Sequence, residues 1–368
     1  MRYLLCKNPH TFAAGAGLAA LLASVGGAWA EGENAFPKIS GEIAFEIEND
    51  YAFSSDDTAE EFNNLFLKIE PVVKLAFSKE LSVNTGLVLE QVQEPAIKGE
   101  DRVFDDQGLF VKVLTLDYET GAVHLSGGKM GVNFGTAWDV TPGVYGTDLA
   151  AEYEMAENIG LLASYNHDMG AAGSHKLTAQ TFFLDTSGLA ESAFTRREKT
   201  RQVAGGPGNT GDFSSFALSL DGDGFERLPG FGYHIAFVQH TNDTVNSADE
   251  TRFAIGGRYE FKLPGDIAVQ PLVEYVMFDD ADGTVNQDRS YVTTALGFTY
   301  GNWNAAISGT FKETEAPDGT DTNEEQLQVS AGYQFPIGIS VDLGYKRGRN
   351  AGVDTDTIGA LVTYGYSF

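Results

Sequence analysis

Apolar and polar positions alternate with a period of two along most of the chain. In Lys38–Asn49, one row holds Ile39, Gly41, Ile43, Phe45 and Ile47, and the other holds Ser40, Glu42, Ala44, Glu46 and Glu48. Successive side chains of a strand point to opposite faces, so this stretch predicts a strand with one greasy and one wet face. The same pattern predicts strands over Asn63–Phe77, Leu81–Gln91, Gly108–Tyr118, Ala122–Val132, Ile159–Asp168, His175–Asp185 and Phe213–Asp221. It continues over Phe231–His240, Thr251–Lys262, Ile267–Asp279, Arg289–Tyr300, Trp303–Lys312, Glu325–Phe335, Ile339–Arg347 and Thr357–Phe368, which makes 16 segments. Gly108–Tyr118 is the least regular, because Lys112 falls on its apolar row. Gly127-Gly128 is a candidate bulge that switches the parity before Lys129.

The gaps between segments alternate. Short ones (78–80, 119–121, 169–174, 222–230, 263–266, 301–302 and 336–338) take turns with longer or more polar ones (50–62, 92–107, 133–158, 186–212, 241–250, 280–288, 313–324 and 348–356). A soluble sandwich has no reason to lengthen every second connection. A transmembrane barrel does, with short turns on one side and long loops on the other. Segments of about ten residues also suit tilted strands across hydrocarbon. With an even strand number the first and last strands meet antiparallel and leave no free edge. The fold class predicted is all-β, an antiparallel up-and-down transmembrane barrel. Tyr118, Tyr259, Phe261, Phe298, Tyr300, Trp303, Tyr333, Phe335, Tyr366 and Phe368 cluster beside short turns, where an interfacial aromatic girdle belongs.

The last strand runs Ile358, Ala360, Val362, Tyr364, Tyr366, Phe368 on one row. It resembles the closing strand of bacterial outer-membrane barrels. That resemblance implies that Tyr364, Tyr366 and Phe368 form the signal read by the barrel-assembly machinery. Gly128-Lys129-Met130-Gly131-Val132-Asn133-Phe134-Gly135, ahead of the long loop 133–158, is similar to text that leads into the third external loop of porins. The chain thus resembles a 16-stranded Gram-negative diffusion porin over its mature length. It departs from the well-known general porins by carrying Pro142-Gly143-Val144-Tyr145-Gly146 where they have a P-E-F-G-G stretch. The resemblance implies a homotrimer in the outer membrane, in contact with lipid and lipopolysaccharide, and a third loop folded into the lumen.

Composition narrows the reading. Arg2 and Lys7, the apolar run 12–25 and Ala28-Trp29-Ala30 have the form of a secretory leader over residues 1–30, with the mature barrel over 31–368. The single cysteine, Cys6, falls in that leader, so the mature chain is expected to lack disulfides and thiolate metal sites. The mature chain keeps 22 basic against 52 acidic residues, a net −30, which argues against a nucleic-acid partner.

Sixteen strands enclose a water channel rather than a filled core. The predicted inner rows carry Glu42, Glu46, Lys68, Glu70, Lys74, Glu90, Arg252, Arg258, Glu260, Glu274, Arg289, Lys312, Asp342 and Lys346. Unpaired in a dry core, such charges would each cost several kcal/mol, so these rows predict a wet lumen. The expected pore wall includes Glu42, Glu46, Lys68, Glu70, Lys74, Lys129, Arg252, Arg258 and Arg289. The expected constriction carries Asp139, Asp148, Glu152, Glu154 and Glu157 of the third loop.

Small hydrophilic solutes and ions are the expected cargo, with a modest cation preference. A substrate-selective porin for siderophores, sugars or organic acids is the alternative. The acidic runs 279–283 and 318–321 lack the spacing of a calcium loop, and neither a metal nor another cofactor is expected. His234 and His240 lie on a strand next to one with Ser215 and Ser219, but no nucleophile motif surrounds these serines. The sequence reading is therefore of a protein that is not an enzyme, with an outer-membrane lipase or protease as the remote alternative.

Overall fold

The computed structural model describes residues 36–197 and 199–368. The expected leader and its cleavage point lie outside the described residues. The described chain forms 16 long strands. The first four are β1 (Lys38–Ser55), β2 (Asn63–Ala76), β3 (Leu81–Gln91) and β4 (Gln107–Thr120). Next come β5 (Val123–Met130), β6 (Asn158–Asp168), β7 (Ser174–Leu184) and β8 (Ser215–Asp223). The third group is β9 (Phe231–His240), β10 (Glu250–Tyr259, resumed at Phe261–Leu263), β11 (Ile267–Asp279) and β12 (Asp288–Tyr300). The last are β13 (Trp303–Glu315), β14 (Asp321–Gln334), β15 (Ile339–Asn350) and β16 (Val353–Ser367).

Each strand pairs antiparallel with its sequence neighbours. The sheet closes where β1 meets β16, in register from Glu42↔Ser367 to Ser55↔Thr355. Gly41 and Phe368 exchange two backbone hydrogen bonds, both of 2.9 Å, at the seam. Closure satisfies every strand's ladder and leaves no edge. Two short strands, Arg102–Val103 and Ala193–Phe194, belong to the loops and lie against Asn64–Leu65 and Gly108–Leu109. Among the described residues, no helix is long and apolar enough to cross a membrane.

Large apolar side chains point outward right around the barrel. Leu161, Leu218, Val273, Tyr275, Leu296, Ile307, Phe311, Leu343 and Ile358 are all exposed. A continuous apolar belt of this kind needs hydrocarbon as its solvent. Aromatics gather at the short-turn end as close ring pairs: Trp303–Tyr333 at 4.8 Å, Tyr333–Phe335 at 5.0 Å and Tyr259–Phe261 at 5.5 Å.

The irregular alternation in β4 has a local cause. Gly86 opposes Val113 and Leu87 opposes Val111, so Lys112 is the extra residue of a bulge. The bulge swings Lys112 off the outward row and into the barrel. In β5, Gly128 takes φ 137°, and a Cβ there would lie 2.2 Å from the Leu114 carbonyl oxygen. After it, Lys129 is buried although Val123 and Leu125, on its row, are exposed.

Two of the expected long loops are shorter than the sequence suggested. β13 and β14 extend to Glu315 and Asp321, and β15 and β16 meet across Ala351-Gly352 at φ 49° and 84°. Positive φ at both residues suits the twist of a two-residue hairpin.

Candidate functional site

Loop 131–157 makes contacts that no surface loop can make. It touches β8 and β9, and also β14, β15 and β1 on the far side of the seam. In a closed barrel a segment reaches both only by passing through the interior. Its start is fixed by Asn133, whose backbone N–H donates to Gln180 Oε1 (2.8 Å) and whose side chain donates to Ser219 Oγ (2.7 Å) and Asp221 Oδ2 (3.0 Å). The Gly135 N–H then donates to His234 Nε2 at 3.1 Å.

The middle of the loop converges on one carboxylate, Glu274 of β11. It accepts from the Thr136 N–H (2.7 Å), the Thr136 hydroxyl (2.8 Å), the Ala137 N–H (2.8 Å) and the Tyr153 hydroxyl (2.8 Å). Two of these donors are the amides that open the helical turn Ala137–Val140, which have no partner within the turn. Around this point Val132, Phe134, Ala137, Ala150, Tyr153 and Met155 pack on the wall residues Phe182, Ala236, Val238, Leu272, Val276, Phe278 and Tyr291.

This corrects the expectation of water against every inner row. Over β7–β12 the interior is a dry core, and the loop supplies its second layer. The alternation of β11 carries the signal: Leu272, Val276 and Phe278 face inward while Val273, Tyr275 and Met277 face outward, so both rows are apolar.

The loop's carboxylates meet bases. Asp148 pairs with Lys346 (2.8 Å), Glu152 with Lys312 (2.8 Å) and Glu154 with Lys112 (3.0 Å). Glu157 pairs with Lys129 (2.8 Å), Lys199 (3.3 Å) and Arg197. Lys129 also meets Asp185 at 2.8 Å, and the Arg197 guanidinium lies 3.6 Å over the Phe110 ring. Burial raises the Glu157 carboxyl, but hydrogen bonds from Arg197 and Lys129 outweigh it and hold the group below the usual carboxylate range. Asp185 is likewise lowered on balance, its burial outweighed by hydrogen bonds from Lys129 and Ser187. Burial pushes Asp139 up.

The wall bases named from sequence lie elsewhere. Arg252 pairs with Glu250 (2.6 Å) and stacks 4.3 Å from the Phe278 ring. Arg289 pairs with Asp282, a residue of the loop after β11, at 2.5 Å. Arg258 lies on β10 opposite Gly232 and Leu272. Of the wall bases in the sequence-derived set, Lys129 alone pairs with a loop carboxylate in the contacts described here. Lys112, Lys312, Lys346, Lys199 and Arg197 are the other basic partners of the loop carboxylates. Lys312 and Lys346 were read as inner-row residues, and Lys112 stood out as the charge on the wrong row.

The arc β1–β3 is different. Its inward rows hold Glu42, Glu46, Glu48, Asp50, Lys68, Glu70, Lys74 and Glu90, of which Asp50 accepts the hydroxyl of Tyr145 in the loop at 2.7 Å. Most are half-exposed, Lys74 is open to solvent, and Lys68 pairs with Glu70 at 3.3 Å.

No family model matches the chain, and no curated protein matches it by sequence. Solved structures do match it in fold. OmpT of Vibrio cholerae, an outer membrane protein, superposes with TM-score 0.55 at 13% identity over 92% of this chain and 100% of that one. The outer membrane channel DcaP of Acinetobacter baumannii gives 0.54 at 10% identity, covering 92% and 100%. OpdK of Pseudomonas aeruginosa, solved with vanillate, gives 0.53 at 10% identity, covering 90% and 99%.

The comparison corrects the exclusion of enzymatic activity. The matching barrels include OmpT, described as an outer membrane protein and not as a channel, so sharing their fold does not make the chain non-enzymatic. His234 itself holds Asp221 at 2.7 Å on Nδ1 and accepts the Gly135 N–H on Nε2. Ser219 receives the Asn133 amide. What the chain shares with these proteins is the fold of a 16-stranded outer-membrane β-barrel.

Proposed function

We propose that the mature chain, beginning at Glu31, sits in the outer membrane as a water-filled channel for small hydrophilic solutes and ions, with a modest preference for cations. The observation that carries this reading is the division of the interior. Loop 131–157 fills the side against β7–β12, and the charged inner rows of β1–β3 keep their exposure on the other side. That arc carries six carboxylates, Glu42, Glu46, Glu48, Asp50, Glu70 and Glu90, against Lys38, Lys68 and Lys74. Across the gap the loop's carboxylates are matched by lysines, so the unbalanced charge belongs to the arc. A net negative wall along a narrow aqueous path concentrates cations and repels anions.

Association into trimers, contact with lipopolysaccharide and recognition of Tyr364, Tyr366 and Phe368 by the assembly machinery belong to the same proposal. A substrate-selective channel is the second reading. It is favoured by the ordered, multiply bonded loop, which presents fixed rather than fluid walls to a solute.

Purified protein in a planar bilayer under a salt gradient tests the proposal. Stepwise conductance with a reversal potential on the cation side, fading as salt rises over the screening range, supports it. Absence of conductance sinks it. Saturable block by one class of sugar, organic acid or siderophore moves the case to the second reading.

A further inference from the structure

We propose that Tyr145 is a positioning residue that sets the channel's aperture, by seating the loop tip in a socket left in the wall by two facing glycines, Gly344 and Gly359. The inference rests on the channel reading for its consequence and on geometry for its existence.

Gly344 of β15 and Gly359 of β16 are register partners on adjacent strands. A Cβ at Gly359 would lie 2.0 Å from the Tyr145 hydroxyl oxygen, and one at Gly344 would lie 2.8 Å from Val144 Cβ and 3.1 Å from the Tyr145 ring. Distances this short do not occur between real side chains, so any other residue at either place must push the tip away. Gly348 of β15 and Gly365 of β16 lie on the same inward rows, and a Cβ at either meets nothing within 4 Å. The missing side chains therefore matter where Tyr145 sits and nowhere else along those two rows.

The socket also has polar walls. Tyr145 is 1% exposed and donates its hydroxyl to Asp50 Oδ1 at 2.7 Å. The Lys346 ammonium stands 4.3 Å from its ring centroid while reaching Asp148 at 2.8 Å. Gln326 donates to the Tyr145 carbonyl, Gln328 donates to the Pro142 carbonyl at 3.1 Å, and Leu361 closes the apolar side. Burial and the neighbouring Asp50 carboxylate raise the Tyr145 hydroxyl, which keeps it a donor at neutral pH.

The tip is thus held by β14, β15, β16 and β1 together. Held there, it leaves the aperture along β2 and β3. Released, it is free to swing toward β2 and β3, where the channel reading puts the solute path.

The test compares single-channel conductance and the size of the largest permeant sugar in four variants, each checked first for the heat-modifiable gel shift of a folded barrel. Gly359→Val blocks the socket from the wall side. Tyr145→Ala empties it from the loop side without touching a strand, so the test survives if Gly359→Val fails to fold. Both are expected to change conductance by about twofold or more, with added open-channel noise and a shifted sugar cutoff, because a constriction element has lost its seat. Tyr145→Phe fills the socket and is expected to stay near wild type. Gly365→Val adds bulk on the same row away from the tip and is expected to match wild type.

If folded Gly359→Val and Tyr145→Ala channels both keep wild-type conductance and cutoff, the socket does not set the aperture. A wild-type protein that conducts nothing sinks the channel reading instead. The seat is then read directly by oxidising a Val144→Cys, Leu361→Cys pair in the folded barrel, two residues of the same buried cluster whose replacement fills neither glycine. Cross-linking that falls when Tyr145→Ala is added supports the seat, and no cross-linking overturns it.

Discussion

The two sides of the barrel interior are built from the same kind of strand and behave differently. On the side of β7–β12 the inward rows are apolar or small, with Ala217, Ala236, Val238, Ala254, Val276 and Phe278 all buried under the loop. On the side of β1–β3 the inward rows are charged and hydrated. In the first region Glu274 accepts four hydrogen bonds and is 1% exposed. In the second, Glu70 has one ion pair, with Lys68 at 3.3 Å, and its side chain is 12% exposed. A closed barrel can therefore contain both a protein core and a solvent channel, and the loop decides which wall becomes which.

The sharpest way to break that contrast is to truncate one carboxylate from each side. Glu274→Ala strands the Thr136 and Ala137 amides and the Tyr153 hydroxyl in a dry site. Each buried orphan costs about 1–3 kcal/mol, so the loop is expected to lose about 3–5 kcal/mol of docking energy. Thermal unfolding in detergent and channel noise read the loss. Glu70→Ala leaves behind a lysine that is still partly exposed and is expected to cost less, about 1 kcal/mol. Equal losses from the two variants would mean that the interior is not divided.

The outward face gives the next largest effect. Leu296 is exposed on the β12 row that alternates with Thr293, which is 1% exposed beneath the loop. Leu296→Arg is expected to cost about 2–4 kcal/mol if its depth is near the bilayer midplane, falling toward zero near an interface. Equilibrium unfolding in lipid vesicles measures it. An unchanged stability at Leu296 would place that residue at the interface or the outward row outside the hydrocarbon.

Neutralising Asp148, Glu152 and Glu154 together comes third. Each partners a lysine at 2.8–3.0 Å, so their loss leaves Lys346 and Lys112 without these partners and Lys312 with Glu324 alone, at 2.7 Å. The reversal potential is expected to move toward anions, and by more than for Glu46→Gln with Glu70→Gln, which remove two negative charges instead of three. A triple variant with wild-type selectivity would place these pairs away from the solute path.

Strand count and antiparallel order were legible in the sequence because a dyad pattern is local: each residue's face is fixed by its neighbours in the chain. Bulges were legible only as faults. Lys112 on an apolar row marked one, because an extra residue shifts every side chain beyond it. The bulge expected at Gly127-Gly128 is not there: β5 keeps unbroken register with β4 and β6, and the change of face at Lys129 accompanies the φ of 137° at Gly128. The dry core was not legible in the same way. It depends on what lies opposite β11, and no periodicity within β11 says that Phe134 and Tyr153 will arrive there from 120 or more positions away. The double apolarity of 272–278 was a clue that the pattern allowed and did not interpret. Lysine partners of the loop carboxylates were hidden for the same reason, since Lys312 and Lys346 reach Glu152 and Asp148 through space and not along a strand.

The smallest expected effect concerns the far end of the loop, where the dry side meets the outer loops. Glu157 and Asp185 share Lys129, and both carboxyls lie below their ordinary range. A carboxyl whose folded value is depressed adds stability that is fully present above its unfolded value, about 4 for these groups, and is lost as pH falls through the folded value. The anchor is therefore expected to stay whole from neutral pH down through the ordinary carboxylate range and to weaken only below it. Measuring current noise on single channels through an acid titration checks this. Openings should stay quiet down through the ordinary carboxylate range, and noise should rise only at lower pH. Glu157→Gln is expected to bring that noise to neutral pH. If wild-type noise already rises within the ordinary carboxylate range, or if Glu157→Gln is as quiet as the wild type, the Lys129 anchor does not hold this end of the loop.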